Sequence, residues 1–398
     1  MNILKRHLYL DKISPFLGKP VIKILVGMRR VGKSELLRQL QAHVETHSGA
    51  KTIFINKELR QFDFINDYRD LNQYIDAQEA SKGTSLFIDE IQEILNWEKS
   101  VASFLAEGMD VIITGSNAHF LSSDLATLLA GRYIEFPIYA LSFAEFSELR
   151  DSNESRGEKF AQYLKFGGLP GLHAFIFDDI SCFQYLEAIH QSILLKDVVK
   201  RNNIRNVSLL ESVTQFLYDN IGNLFNASNV SKFLKNQKIN NSLPTVQVLV
   251  RCCCDAFLAY QVRQYDLKGK RLLEINDKYY VSDLGLRHAI LGYREADIAG
   301  MLENLVYLEL LRRDYTVYIG KIGPREVDFV CDRRGERLYL QVAYMLINAE
   351  TLEREFSALE TIADHHPKMV LSMDPIQIKR ESGVKHKNLI DFLLDDDG

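Results

Sequence analysis

The sequence predicts an α/β protein whose first third is a parallel sheet with crossover helices. Three observations predict it. Short apolar runs alternate with helical patterns over the first 140 residues. A glycine-rich segment, Gly27-Met28-Arg29-Arg30-Val31-Gly32-Lys33-Ser34, stands between such a run and a helix. Two later runs end in polar groups: Asp89-Glu90, and Gly115-Ser116-Asn117. The C-terminal ends of parallel strands converge on one edge of the sheet, and ligands bind there.

Each element has its own signal. VIKILVGM (21–28) reads as a buried strand, SELLRQLQAHV (34–44) as a helix and KTIFIN (51–56) as a second strand. A helical stretch follows, then the strand TSLFIDE (84–90), a helix around 96–107 and the strand DVIITGS (110–116). From 141 to about 200 the pattern is helical, interrupted by FGGLPG (166–171). Residues 207–290 read as three short helices and one hairpin, VRQYDLKGKRLLEINDKYYVSD, turning at Lys268-Gly269-Lys270. That order suits a winged-helix module. Beyond about 291, a long helix (301–312) precedes the strands TVYIGKI, EVDFVCD and RLYLQVAY, a helix near 350–362, the strand MVLSM and a charged closing helix. Four segments result: 1–140, a phosphate-binding domain; 141–200, a helical lid; 201–290, the winged-helix-like module; and 291–398, an α/β domain.

Composition narrows the class. With 398 residues, 46% hydrophobic and 25% charged, the chain can bury several cores, and collagen-like or wholly disordered readings are excluded. The net charge of −5 makes the whole molecule no polycation. Residues 200–290 nevertheless hold thirteen Lys/Arg against seven Asp/Glu, so any nucleic-acid contact is expected there. Lys268, Lys270 and Arg271 would meet phosphates, and Gln247 and Arg251 would face bases. No Cys-x-x-Cys pair exists among five cysteines, which argues against a disulfide framework and for a reducing cytoplasm. No apolar run approaches the ~20 residues of a membrane helix, and no membrane partner is expected.

The segment 27–34 fits G-x-x-x-x-G-K-[ST], a loop that cradles phosphates. Its glycines let successive backbone N–H groups point at one anion, and the helix opening at Lys33 and Glu35 adds its positive dipole end. Lys33 would reach the β and γ phosphates of ATP, and the Ser34 hydroxyl would bind Mg²⁺. Asp89 would join Ser34 on the metal, and Glu90 would accept a proton from the attacking water. Ser116 or Asn117 would orient that water or touch the γ-phosphate.

This trio resembles the AAA+ ATPases, and more closely a bacterial and archaeal branch that joins an AAA-like domain to a C-terminal domain of unknown function. The residues carrying the resemblance are GMRRVGKSELLRQL, FIDEIQEI, ITGSNAHFLSSDLATLLAGRYIEFPIYALSFAEF, YLKFGGLPG, LLKDVVKR, MLENLVYLELLRR and EVDFVCDRRGERLYLQVAY. It implies hydrolysis of Mg-ATP driving a conformational change, with an oligomer where an arginine acts across an interface. Arg132 is the first candidate for that arginine and Arg201 the second. Double-stranded DNA is the candidate partner of 201–290, with a protein partner as the alternative. Two rival activities are a nucleotide-gated DNA-binding regulator with slow turnover and an ATP-dependent nuclease. The nuclease rests on a resemblance of 291–398 to restriction-endonuclease-like folds, which use Mg²⁺ on two carboxylates and a nearby lysine. Glu303 and Asp328 match that pattern. Gln341 and Ala343 stand where a glutamate and the lysine belong, so an inactive domain is expected.

Overall fold

The computed structural model describes residues 4–118, 129, 131–150, 153–225, 227–236, 238–239, 241–273, 276–346 and 348–395. The chain divides into two compact units, Met1–Ala140 with Asp255–Phe257, and Leu141–Cys254 with Leu258–Gly398.

The first unit is a five-stranded sheet of order β2-β3-β4-β1-β5. Its strands are β1 (Ile22–Val26), β2 (Thr52–Asn56), β3 (Ser85–Asp89), β4 (Asp110–Gly115) and β5 (Tyr133–Pro137). Every neighbouring pair is parallel. Helices α1 (His7–Ile13), α2 (Lys33–Ser48), α3 (Tyr68–Ala77) and α4 (Trp97–Ala106) accompany it. β1, β3 and β4 are buried along their whole length, which is why they read as unbroken apolar runs. Leu36, Leu37, Leu40 and Val44 give α2 its buried stripe. Lys23 is the exception in β1. Its ammonium donates to the Val21 carbonyl at 2.8 Å and pairs with Asp110 on β4. Burial pushes this amine down and Asp110 counters the shift, so the pair ties the N-terminal edges of β1 and β4 together. β5 has no clear signal in the sequence because Pro137 ends a run of only five residues. As an edge strand beside β1 it tolerates that proline.

The second unit opens with α5 (Phe143–Leu149), α6 (Arg156–Phe166) and α7 (Asp179–Ile193), which runs into a π-helical stretch at Leu194–Lys200. Ser142 and Ser155 close capping boxes with Glu145 and Glu158, which sets where α5 and α6 begin. Next come α8 (Val207–Asp219), β6 (Leu224–Phe225), α9 (Ala227–Asn236), α10 (Leu243–Asp255) and β7 (Ala259–Val262). The chain continues through β8 (Gln264–Asp266), β9 (Arg271–Leu272), β10 (Asp277–Val281), α11 (Leu284–Leu291) and α12 (Ile298–Arg312). It ends with β11 (Thr316–Ile322), β12 (Arg325–Arg333), β13 (Glu336–Val342), α13 (Ala349–Glu360), β14 (Lys368–Ser372), β15 (Lys385–Asn388) and α14 (Leu389–Leu394).

Two features differ from the sequence reading. The single expected hairpin is split: β7 pairs with β10 in a three-stranded sheet, while β8 and β9 pair with each other and β8 lies parallel to β11. The hairpin's outer half thereby becomes the edge of a seven-stranded sheet, held by N–H bonds from Ile319 to Arg263 O and from Leu267 to Lys321 O. The chain also closes on a strand before a short helix with buried Leu389, Phe392 and Leu393, in place of one charged helix. No helix among the described residues is long and apolar enough to cross a membrane.

His190 on α7 is buried, edge-on to Tyr218, and neither ring nitrogen has a hydrogen-bond partner among the described residues. Burial lowers its pKa from 6.5 to about 4. The unfolded chain therefore takes up this proton between pH 6.5 and 4 while the folded chain does not, and stability falls as pH drops through that window. His190→Leu is expected to remove about 2 kcal/mol of the stability difference between roughly pH 7 and 5, as measured by denaturant unfolding.

Candidate nucleotide site

The loop leaving β1 is shaped by two glycines. A Cβ on Gly27 would stand 2.2 Å from the Ile138 carbonyl oxygen, so only glycine lets the loop pass there. Gly32 caps α2 at φ +97°, a conformation that favours glycine. Arg30 also has a positive φ, +71°, and its side chain is exposed. Met28, Val31 and Lys33 point inward and are buried. The Lys33 ammonium donates to the carbonyls of Gly27 at 2.9 Å and Met28 at 3.0 Å, which folds the lysine over its own loop. Leu36 N–H bonds to Gly32 O, so the helix begins directly beneath the loop. Glu35 is exposed in its first turn, where it complements the helix dipole.

β3 and β4 bring the acidic groups to the same edge. Asp89 is fully buried; its Oδ1 accepts from the Thr114 hydroxyl at 2.6 Å, and its Oδ2 has no partner among the described residues. Burial raises this carboxyl, while the Thr114 and Ser34 hydroxyls and the Lys33 ammonium hold it back. Ser34 and Asp89 thus lie together, and an orphaned buried carboxylate oxygen beside a hydroxyl is a donor set that fits a hard divalent cation.

Glu90 follows at φ +54°, the left-handed region, and its N–H donates to Thr114 Oγ1 at 2.9 Å. Burial pushes the Glu90 carboxyl up, but Lys33 and Arg29, with hydrogen bonds from Gln92 and Ser116, outweigh it and hold the group below its ordinary value. Glu90 is therefore ionised and able to take a proton. Gln92 reaches back from the turn Ile91–Glu93, donating to Glu90 Oε2 and, at 3.3 Å, to Ser116 Oγ. Ser116 and Asn117 are buried at the end of β4. Arg29 pairs with Glu58 at 3.3 Å.

The fold separates Arg132 from this group. It immediately precedes β5, and its carbonyl accepts from Ile22 N–H at the start of β1. That is the opposite edge of the sheet, about 17 Å from the loop at ~3.3 Å per strand residue. Arg132 is exposed there. Arg201 belongs to the second unit.

Three further residues escape sequence reasoning. Thr114 bridges Asp89 and Glu90, and its only signal is a polar residue inside the apolar run VIITG. Gln92 sits in FIDEIQ with no distinguishing spacing. Arg6 is buried near the start of the chain; its guanidinium donates to Val31 O of the loop at 3.0 Å and to Tyr139 O at 3.1 Å.

An AAA domain model matches residues 19–147, which contain every one of these groups except Arg6 and Arg201, and a domain of unknown function, DUF8612, matches 157–297. The first unit is thus a P-loop domain of the AAA class. An uncharacterised protein of Haemophilus influenzae is 34% identical over 98% of this chain and 99% of its own length. A second, from Methanocaldococcus jannaschii, is 31% identical over 85% of this chain and 78% of its own. The chain belongs to the family of these two proteins. Among solved structures, RuvB of Thermotoga maritima covers 65% of this chain and 90% of its own at 12% identity and a TM-score of 0.35. Cdc6p of Pyrobaculum aerophilum covers 76% and 93% at 9% identity and a TM-score of 0.29. At these scores the assignment rests on the domain match and on the loop itself.

Thr114→Val keeps the volume and removes the hydroxyl, leaving Asp89 Oδ1 and the Glu90 N–H unsatisfied. Denaturant unfolding is expected to show a loss of about 1–3 kcal/mol, with Thr114→Ser retaining most of it.

Proposed function

We propose that the first unit binds Mg-ATP and hydrolyses it to change the conformation of the chain. The observation that carries this reading is the meeting of Lys33, Ser34, Asp89 and an ionised Glu90 at one edge of a parallel sheet. The backbone N–H groups from Gly27 to Glu35 would line the phosphates. Lys33 would leave the Gly27 and Met28 carbonyls for the β and γ phosphates. Ser34 and Asp89 would hold Mg²⁺, which supplies charge neutralisation on the phosphate oxygens when bound. Glu90 would take the proton of the attacking water, with Ser116 or Asn117 orienting it. Arg132 is a candidate across an interface between two copies.

Lys33→Ala is expected to abolish ATP binding. Glu90→Gln is expected to keep binding and lower turnover by about 10²-fold or more, measured as phosphate release. Unchanged turnover in Glu90→Gln would exclude Glu90 as the base.

A second reading, a slow nucleotide-gated switch, is favoured by one contact. Gln92 engages Glu90 and Ser116 together, which holds the base in place before any partner arrives. Gln92→Ala is expected to raise basal turnover under this reading and to leave it unchanged or lower under the first. Double-stranded DNA is the proposed partner that releases the switch. Lys268, Lys270 and Arg271 are exposed at the β8–β9 turn, and Gln247 and Arg251 are exposed on α10. Phosphate release with and without duplex DNA tests it, and stimulation that salt abolishes is the expected result.

A further inference from the structure

Restriction-endonuclease-like folds, which the sequence of 291–398 resembles, place a divalent cation between the residues equivalent to Glu303 and Asp328. The side chains of this chain do not fit that cation. Among the described residues no group of three or more His, Cys, Asp or Glu converges as metal ligands.

Instead a lysine from outside that segment enters the acidic pocket. Lys278 lies on β10 of the three-stranded sheet, and its ammonium is 2.8 Å from Glu303 Oε1 on α12 and 2.6 Å from Glu326 Oε1 on β12. Its side chain is 3% exposed. The Tyr280 hydroxyl, on the same face of β10, donates to the same Glu303 oxygen. Asp328 is buried beside them, with Oδ2 accepting the Val342 N–H at 2.8 Å. Burial works against the Lys278 charge, but Glu303, Asp328 and Glu326 outweigh it and hold the ammonium protonated.

The remaining positions are spent elsewhere. Gln341 Oε1 accepts the backbone N–H of Asp328 at 3.1 Å, a bond across the β12–β13 ladder. Ala343 packs in an apolar cluster with Val327, Val330 and Phe356. A water-activating side chain has no place there.

We propose that the Lys278 ammonium takes the position that a divalent cation holds in the nucleases this domain resembles, turning a metal pocket into a closed ion cluster that fastens β10 to α12 and β12. The cluster is a structural joint between the three-stranded and seven-stranded sheets, and the domain does not cut DNA. With its ammonium 2.8 Å from Glu303 and 2.6 Å from Glu326, Lys278 already occupies the carboxylate oxygens that a divalent cation would need.

The test uses the full chain without nucleotide, and Mn²⁺ as the probe, counted by electron paramagnetic resonance of the free ion. Wild type and Asp328→Asn are expected to give the same Mn²⁺ isotherm. Lys278→Met is expected to gain one Mn²⁺, and Lys278→Met with Asp328→Asn to lose it again. A wild-type Mn²⁺ site that disappears in Asp328→Asn overturns the proposal, as does a folded Lys278→Met that gains none. Should Lys278→Met fail to fold, wild type against Asp328→Asn still decides, and Lys278→Arg is expected to melt within a few degrees of wild type. Because no ATP is present, none of these outcomes depends on the reading of the first unit.

Discussion

Two hydrogen bonds from one ammonium hold the candidate nucleotide site in shape. Lys33 satisfies the Gly27 and Met28 carbonyls, which would otherwise be buried without a partner for the lone pairs it engages. The loop can close this tightly because Gly27 passes within contact of Ile138, where a side chain would collide. From the same position Lys33 lowers the Glu90 carboxyl and restrains the upward shift of Asp89. One buried cation thus fixes the backbone path and, together with Arg29, favours the ionised form of Glu90. A triphosphate offers the ammonium stronger acceptors than two neutral carbonyls, so exchange of partners is the natural consequence of binding.

The parallel order of the sheet does the rest. β1 lies beside β4, and β4 beside β3, so the loop, Thr114 and the Asp89-Glu90 pair fall next to one another without any long-range loop to position them. Thr114 converts adjacency into geometry by donating to one acid and accepting from the backbone of the next. Lys23 and Asp110 perform a similar joining role at the other edge. At the loop edge, hydroxyls and an orphaned carboxylate oxygen accompany the buried charge.

Much of this site was legible in the chain because phosphate binding is done by backbone, and backbone geometry is written in glycines and in the residues that open a helix. The strand ends carrying Asp89, Ser116 and Asn117 were legible for the same reason: an apolar run with a polar terminus says where a strand stops. The side chains that organise the acids were not. Thr114 and Gln92 act through directions that depend on the neighbouring strand and on a turn folding back, and neither is encoded in local spacing. The place of Arg132 in space was not legible either, because it depends on β5 running parallel to β1. In the second unit the helices were readable from caps and apolar stripes. The fate of residues 262–283 was not, because β8 takes its partner from a strand more than fifty residues later.

The account stands on the loop gripping a triphosphate. Isothermal titration of a non-hydrolysable ATP analogue with Mg²⁺ into the purified chain tests this most directly. One site per chain, weakened when Mg²⁺ is withheld, is the result the geometry requires. An absence of binding by any nucleoside triphosphate would contradict it.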